Sequence, residues 1–239
     1  MSVVQWGTWV LVAGAAVVVL STYPYVATAI SYRGSDNGLA YILLVMGAGV
    51  WNAMFAAQVL DPDPLVKGFF LALSFVGSSL AGLGWFLFAA TASSTVGVPQ
   101  RRLVYGITAV LTGLNIVCIA TTPAHDLYWS LSSEPTGTVA FVAISPQLGY
   151  WIHTTLLVVL FAAGTSLFAD AWDAGISVRY TRAYTCAGIV TVLAVLTTDV
   201  LVPGGASATP LVAAGLTTVG WLQADDGRFR LWLRTMRPS

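Results

Sequence analysis

Residues 148–169 read LGYWIHTTLLVVLFAAGTSLFA. The run holds no Asp, Glu, Lys or Arg, and His153 is its one titratable group apart from the phenol of Tyr150. A helix of ~20 such residues is ~30 Å long, the thickness of a bilayer's hydrocarbon core. In lipid no water is present to pair exposed backbone groups, so a spanning segment of this kind must be a helix.

The same composition extends over the whole chain. Of 239 residues, 57% are hydrophobic and 8% charged, and the mean hydropathy is +0.80. Those values lie outside the soluble globular range and imply a multi-pass protein of the cell membrane. Ten basic and ten acidic residues cancel, so bulk charge points neither to nucleic acid nor to an acidic substrate. Cys118 and Cys186 sit in apolar runs at a spacing that fits no metal or redox motif. No metal and no cofactor is expected.

Apolar runs and their breakers predict seven spans, at about 7–32, 39–60, 66–92, 103–122, 148–169, 182–202 and 209–224. They are separated by SYRGSDNG, DPDP, SSTVGVPQRR, the long stretch after Thr122, DAGISVRYTR and PGGASATP, all rich in turn-forming residues. Arg33, Arg101, Arg102, Arg179, Arg182 and the tail arginines Arg228, Arg230, Arg234 and Arg237 then fall on one side, with Lys67 on the other. Short cytoplasmic loops carry the basic excess, which places the amino terminus outside and the carboxyl terminus in the cytoplasm. The run from Trp9 to Leu20 lacks the basic residues that precede a secretory signal, and it reads as a retained first helix.

The expected architecture is an all-α, seven-transmembrane helix bundle. One seven-helix transmembrane domain covers 1–225, and a basic amphipathic cytoplasmic tail covers 226–239. In the tail Phe229, Trp232, Leu233 and Met236 fall on one helical face and Arg230, Arg234 and Arg237 on the other, a pattern suited to an anionic lipid surface. Gly47, Gly49, Gly77, Ala81, Gly82 and Gly84 are read as packing positions between helices. Between spans four and five, Leu127–Ser133 and Thr138–Ile144 flank Glu134-Pro135-Thr136-Gly137, which predicts a short extracellular β-hairpin.

Polar groups inside spans are costly and usually face the bundle interior. Asn52, Gln58, Asn115, His153 and Asp199 all lie toward the outer ends of their spans. Trp51, Phe55 and Gln58 share a helical stripe, and so do Tyr150 and His153. An outward-facing ligand pocket is therefore expected from Trp51, Asn52, Phe55, Gln58, Asn115, Tyr150, His153 and Asp199, roofed by His125 and Trp129. The plainer reading is that the polar groups only bond between helices, and that His125 and Asp126 cap a turn. Asp199, the one carboxylate placed in a span, is a candidate partner for His153.

The order Trp51, Lys67, the aromatic GWFLFAATA at 84–92, Arg101-Arg102, TTPAHDLYWS at 121–130 and Tyr150-Trp151-Ile152-His153 resembles the N-terminal seven-helix sensor region of membrane histidine kinases. In that family the fourth helix ends in an N/T-P-x-H-x-L-x-W-like signature, matched here by Thr122 to Trp129. The resemblance implies an input module that detects a small-molecule, lipid or physicochemical stimulus and passes it to a cytoplasmic kinase or response component. Membrane lipid is a second expected partner, and a homodimer is compatible with such a module. The chain ends at Ser239 without a cytoplasmic phosphoacceptor histidine or a Gly-rich nucleotide loop, so no enzymatic activity of its own is expected. The alternative is a seven-helix small-solute transporter, which should show internal repeats with broken helices. A retinal protein is disfavoured, since such proteins hold their pigment on a lysine of the last helix and the one lysine here is Lys67, at a loop.

Overall fold

The computed structural model describes residues 13–17, 19–20, 26, 30, 36–61, 63–92, 101–131, 144–173, 181–201 and 209–218. Five long helices dominate: α1 (Asp36–Leu60), α2 (Pro64–Ala92), α3 (Arg101–Ala120), α4 (Leu148–Asp173) and α5 (Thr181–Val195). Five helical segments among the described residues are long and apolar enough to cross a membrane, the fifth running on through a π turn at Leu196–Val200. They correspond to predicted spans two to six. Residues 13–17, 19–20 and 209–218 are also helical, within the predicted first and seventh spans, whose other residues lie largely outside those described. The tail at 226–239 lies outside them as well.

The break between α1 and α2 follows from DPDP. Pro64 occupies the first helical position, where its missing N–H costs nothing. Asp63 Oδ1 accepts the Leu65 N–H at 2.8 Å, capping the new helix, and the Lys67 N–H reaches the Asp63 carbonyl at 2.9 Å. At the other end of α3, Pro123 disfavours helical backbone at the residue before it, and the chain tightens into a 3-10 turn at Thr122–Ala124.

α2 is the central helix. It packs against α1 on one side and against α3 and α4 on others, while α5 packs on α4. The α1–α2 contact is backbone to backbone. A Cβ on Gly77 would lie 2.5 Å from the Trp51 N and 2.9 Å from the Gly47 O, and one on Gly47 or Gly84 would collide with Ala81 or Leu44 of the facing helix. The predicted packing role of these glycines is thus met literally. The core beside this seam is aromatic: Trp85, Phe88, Phe168 and Tyr184 are buried together, with Phe168 and Tyr184 stacked at 4.7 Å.

Two short strands join α3 to α4. β1 (Trp129–Leu131) pairs antiparallel with β2 (Ile144–Pro146), in the register Trp129 to Pro146 and Leu131 to Ile144. The strand pair is the expected hairpin with its second arm shifted toward α4: β2 begins at Ile144, where the predicted arm was to end. The predicted turn at 134–137 lies outside the described residues.

Candidate functional site

The stretch after α3 folds into a strap over the ends of α3 and α4. The Leu127 N–H donates to His125 Nδ1 at 3.3 Å, and the other ring nitrogen, Nε2, lies 3.0 Å from Thr121 Oγ1. Thr121 Oγ1 donates in turn to the Val117 carbonyl. His125 therefore braces a turn, as the plainer reading had it, and is not among the residues that line the groove beside the strap. The strap is tied down at its far side, where the Gln147 and Gly149 N–H groups donate to the carbonyls of Tyr128 and Leu127 at 3.0 and 2.8 Å. A Cβ on Gly149 would stand 2.8 Å from the Tyr128 ring, so only glycine lets α4 start this close beneath the strap.

Below the strap lies a chain of buried hydrogen bonds. Tyr128 Oη donates to Asn115 Oδ1 at 2.8 Å. Asn115 Nδ2 then donates to Ser79 Oγ at 3.0 Å and to His153 Nδ1 at 3.1 Å. With Nδ1 accepting, the neutral ring carries its proton on Nε2, which faces Ser78 Oγ at 3.2 Å. Both serines donate to the Phe75 carbonyl at 2.9 Å. Every donor in this series thus has an acceptor, and the bonds run in one direction from the strap to the backbone of α2. His153 is 3% exposed and Asn115 7%, which makes complete pairing necessary rather than optional.

Aromatic faces enclose the same residues. The Phe75 ring stacks on His153 at 4.5 Å with 5° between planes. Trp129 meets Phe75 edge-on at 5.2 Å, and Tyr150 lies 5.7 Å from it. By residue count from the ends of α3 and α4, Asn115 and His153 both sit ~8 Å in from the strap. Three helices and the strap are thereby joined at one depth.

Of the expected pocket, Asn115, Trp129, Tyr150 and His153 come together. Trp51, Asn52, Phe55 and Gln58 do not join them. They are buried on α1, and α2 stands between them and His153. Sequence periodicity puts these side chains on a stripe but does not say which neighbour the stripe meets. The glycine face of α2 draws α1 into backbone contact on the side away from His153. Trp51 enters the main core, and Phe55 packs with Ala15 and Val59. Asn52 Nδ2 donates to its own Ala48 carbonyl at 2.7 Å, while its buried Oδ1 has no hydrogen-bond partner among the described residues. Asp199 is not the partner of His153, whose ring nitrogens face Ser78, Ser79 and Asn115. Its carbonyl, in the π turn, accepts from Tyr150 Oη at 2.8 Å.

Ser78, Ser79 and Phe75 were not singled out from the sequence, and Tyr128 was not among the expected pocket residues. The adjacent serines in an apolar run were the available signal. A groove of about 620 Å³ adjoins the network between α3 and α4, and Asn115 and Tyr128 reach its wall from the inside. Among the described residues no group of His, Cys, Asp and Glu could hold a metal ion.

The family model for the N-terminal 7TM region of histidine kinase matches residues 9–222. The chain belongs to this family. It is a membrane-embedded, multi-pass sensor region of the histidine-kinase type. A search of curated proteins returns no match. Within this 7TM sensor region, the Thr122–Trp129 signature is the strap, and its two aromatic residues contribute differently: Trp129 packs on Phe75, and Tyr128 supplies the first donor of the hydrogen-bond chain.

Burial first, and the neighbouring Cys118 thiol second, push the Tyr128 phenol up from 10.0 to about 12. A raised value stabilises the fold fully below pH ~10, and that stabilisation is lost as pH rises through ~12. In alkaline titrations of the purified sensor region, unfolding monitored by tryptophan fluorescence should show stability falling over this window. Tyr128→Phe should remove that component and cost about 1 kcal/mol at neutral pH, because Asn115 Oδ1 loses its donor. An identical alkaline profile in wild type and variant would contradict this role.

Proposed function

We propose that this 7TM region is the non-catalytic input module of a histidine-kinase signalling system in the cell membrane. It has seven spans, with the amino terminus outside and the carboxyl terminus in the cytoplasm. The seven-helix count rests on the family and on the seven apolar runs, and the orientation on the one-sided arginines. The strap and the network beneath it then lie at the outer end, where a stimulus acts. The output goes to a cytoplasmic kinase or response component, with a dimer of this region as the working unit and the basic tail resting on anionic lipid.

The hydrogen-bond series from Tyr128 to Phe75 carries this reading. It couples the strap, α3, α4 and α2 through groups that have no water to fall back on, so displacing one requires the others to find new partners. Such an arrangement has few alternative packings, which suits a two-state relay. Tyr150, whose ring lies 5.7 Å from that of Phe75, donates to the Asp199 carbonyl in the π turn of the sixth span, and π turns inside helices are frequent at functional positions.

The test is a fusion of residues 1–239 to the cytoplasmic phosphoacceptor and catalytic domains of a histidine kinase. Basal autophosphorylation in membranes should change several-fold in Ser79→Ala and Asn115→Ala, and stay unchanged in Leu103→Ala, an exposed position on α3. Equal phosphorylation in all three would remove the network from signalling. Solute flux through vesicles containing the unfused chain would overturn the sensor reading in favour of a transporter.

A further inference from the structure

The groove between α3 and α4 has walls unlike those of a site for a polar solute. Its lining is apolar except for Asn115, Tyr128, Thr155, the Trp151 indole N–H and the Cys118 thiol. Asn115 and Tyr128 are already committed to each other and to His153, so neither offers a free donor to a ligand. A wall this poor in polar groups fits an uncharged hydrocarbon better than a polar solute.

The groove opens sideways. Leu111, Leu114, Ile152 and Val159 on its rims are each 50–58% exposed, and on helices that cross a membrane such residues face lipid rather than water. Along α4 the lining runs from Gly149 to Val159, which is ~15 Å at ~1.5 Å per residue. That is half of the ~30 Å hydrocarbon core, the depth of one leaflet. Trp151 lines its strap end and is 39% exposed, in keeping with the level at which tryptophans meet headgroups. A second copy of the chain fits less well. A helix ~10 Å across fills ~120 Å³ per residue, so 620 Å³ takes up about one and a half turns of a span.

We infer that this groove holds one acyl chain of a phospholipid of the same leaflet, with the headgroup at the strap. The chain lies against the outer faces of Asn115 and Tyr128, and a change in its length or order reaches the hydrogen-bond series directly. The binding site stands on geometry alone; that lipid is the stimulus rests on the sensor reading above.

The experiment uses the 239-residue chain in nanodiscs containing phosphatidylcholine with a diazirine in one acyl chain, or, in a parallel arm, a diazirine fatty acid. After irradiation, the phospholipid probe should label peptides covering Leu111–Cys118 and Leu148–Val159 above all other exposed apolar segments. Leu114→Trp and Ile152→Trp, which fill the groove from opposite helices, should each lower that labelling several-fold, with Leu103→Trp as the unaffected control. Label spread evenly over the lipid-facing helices, or undiminished by both tryptophans, overturns the site. Labelling by the fatty acid in preference to the phospholipid overturns the assigned source, and efficient intermolecular disulfide formation between copies carrying Leu114→Cys overturns the occupant. No kinase enters the assay, so lost signalling with intact labelling counts against the sensor function and not against the lipid site.

Discussion

Gly77→Val is expected to disrupt the bundle more than any other single substitution considered. A Cβ at this position would stand 2.5 Å from the Trp51 N and 2.9 Å from both the Gly47 O and the Trp51 Cα. All three are backbone atoms of α1 or belong to its main chain, so a change of rotamer cannot clear them. Helices α1 and α2 must move apart along the seam that also contains Gly47, Ala81 and Gly84, and the buried contacts of Trp51 are lost with it. Overpacking that side chains can absorb costs about 1–3 kcal/mol; here the cost should reach or exceed ~3 kcal/mol, since the relief must come from a rigid helix pair. The measurement is thermal or SDS-induced unfolding in micelles, read by tryptophan fluorescence. Gly106→Val is the control, because nothing lies within 4 Å of its added Cβ. It should stay within ~1 kcal/mol of wild type, the scale of a helix-propensity change. Equal stability of the two variants would show that the α1–α2 seam is not a close backbone contact.

The seam also explains what the sequence could and could not convey. Spans two to six were legible to within a few residues, because DPDP, the Pro123 turn and the arginine pair at 101–102 interrupt apolar runs whose length fixes their state. The glycines of α1 and α2 were legible as packing positions for the same reason: in lipid, little but close approach rewards a missing side chain. That two strands join spans four and five was legible from their β-branched and aromatic residues, but the second arm lies at Ile144–Pro146, beyond most of the predicted 138–144. The neighbours of each stripe were not legible. Trp51, Phe55 and Gln58 occupy one face of α1, yet whether that face meets α4 depends on the order of helices around α2, which no one-dimensional period encodes. Ser78 and Ser79 escaped notice for a different reason. A serine in a spanning helix can satisfy itself on a carbonyl three or four residues earlier, as both do on Phe75, so it reads as a small packing residue. Their second contacts, to His153 and Asn115, become visible only when α2, α3 and α4 are set side by side. His153 was singled out because an imidazole in an apolar run needs partners; nothing in the run named Ser78, Ser79 and Asn115 over Asp199.

That difference leads to the second large effect. His153→Phe keeps a ring against Phe75 but removes both nitrogens, leaving the Asn115 amide short of one acceptor and Ser78 Oγ short of its donor. Asn115→Leu removes the centre of the series: Ser79 Oγ and His153 Nδ1 lose their donor, and Tyr128 Oη keeps only the backbone carbonyl of residue 115, at 3.2 Å. Single interhelical hydrogen bonds in membranes are worth ~0.6 kcal/mol on average, so loss of one bond would be hard to detect. Stranding buried groups is a larger cost, about 1–3 kcal/mol for each site, and it dominates here because both residues are less than a tenth exposed. Each variant should therefore lose about 2 kcal/mol in the same unfolding assay. The double variant should lose about 3 kcal/mol rather than about 4, since groups orphaned by the first substitution are removed by the second; the resulting coupling of ~1 kcal/mol lies within the range found for residues in one network. Asn52→Leu gives the contrast. Asn52 is also fully buried, but its amide bonds only to its own helix and its Oδ1 is already unpaired, so it should lose little and show no coupling to His153→Phe. Additivity of Asn115→Leu and His153→Phe to within ~0.3 kcal/mol would mean that the two side chains pack independently, and the path from the strap to α2 would then need a different carrier.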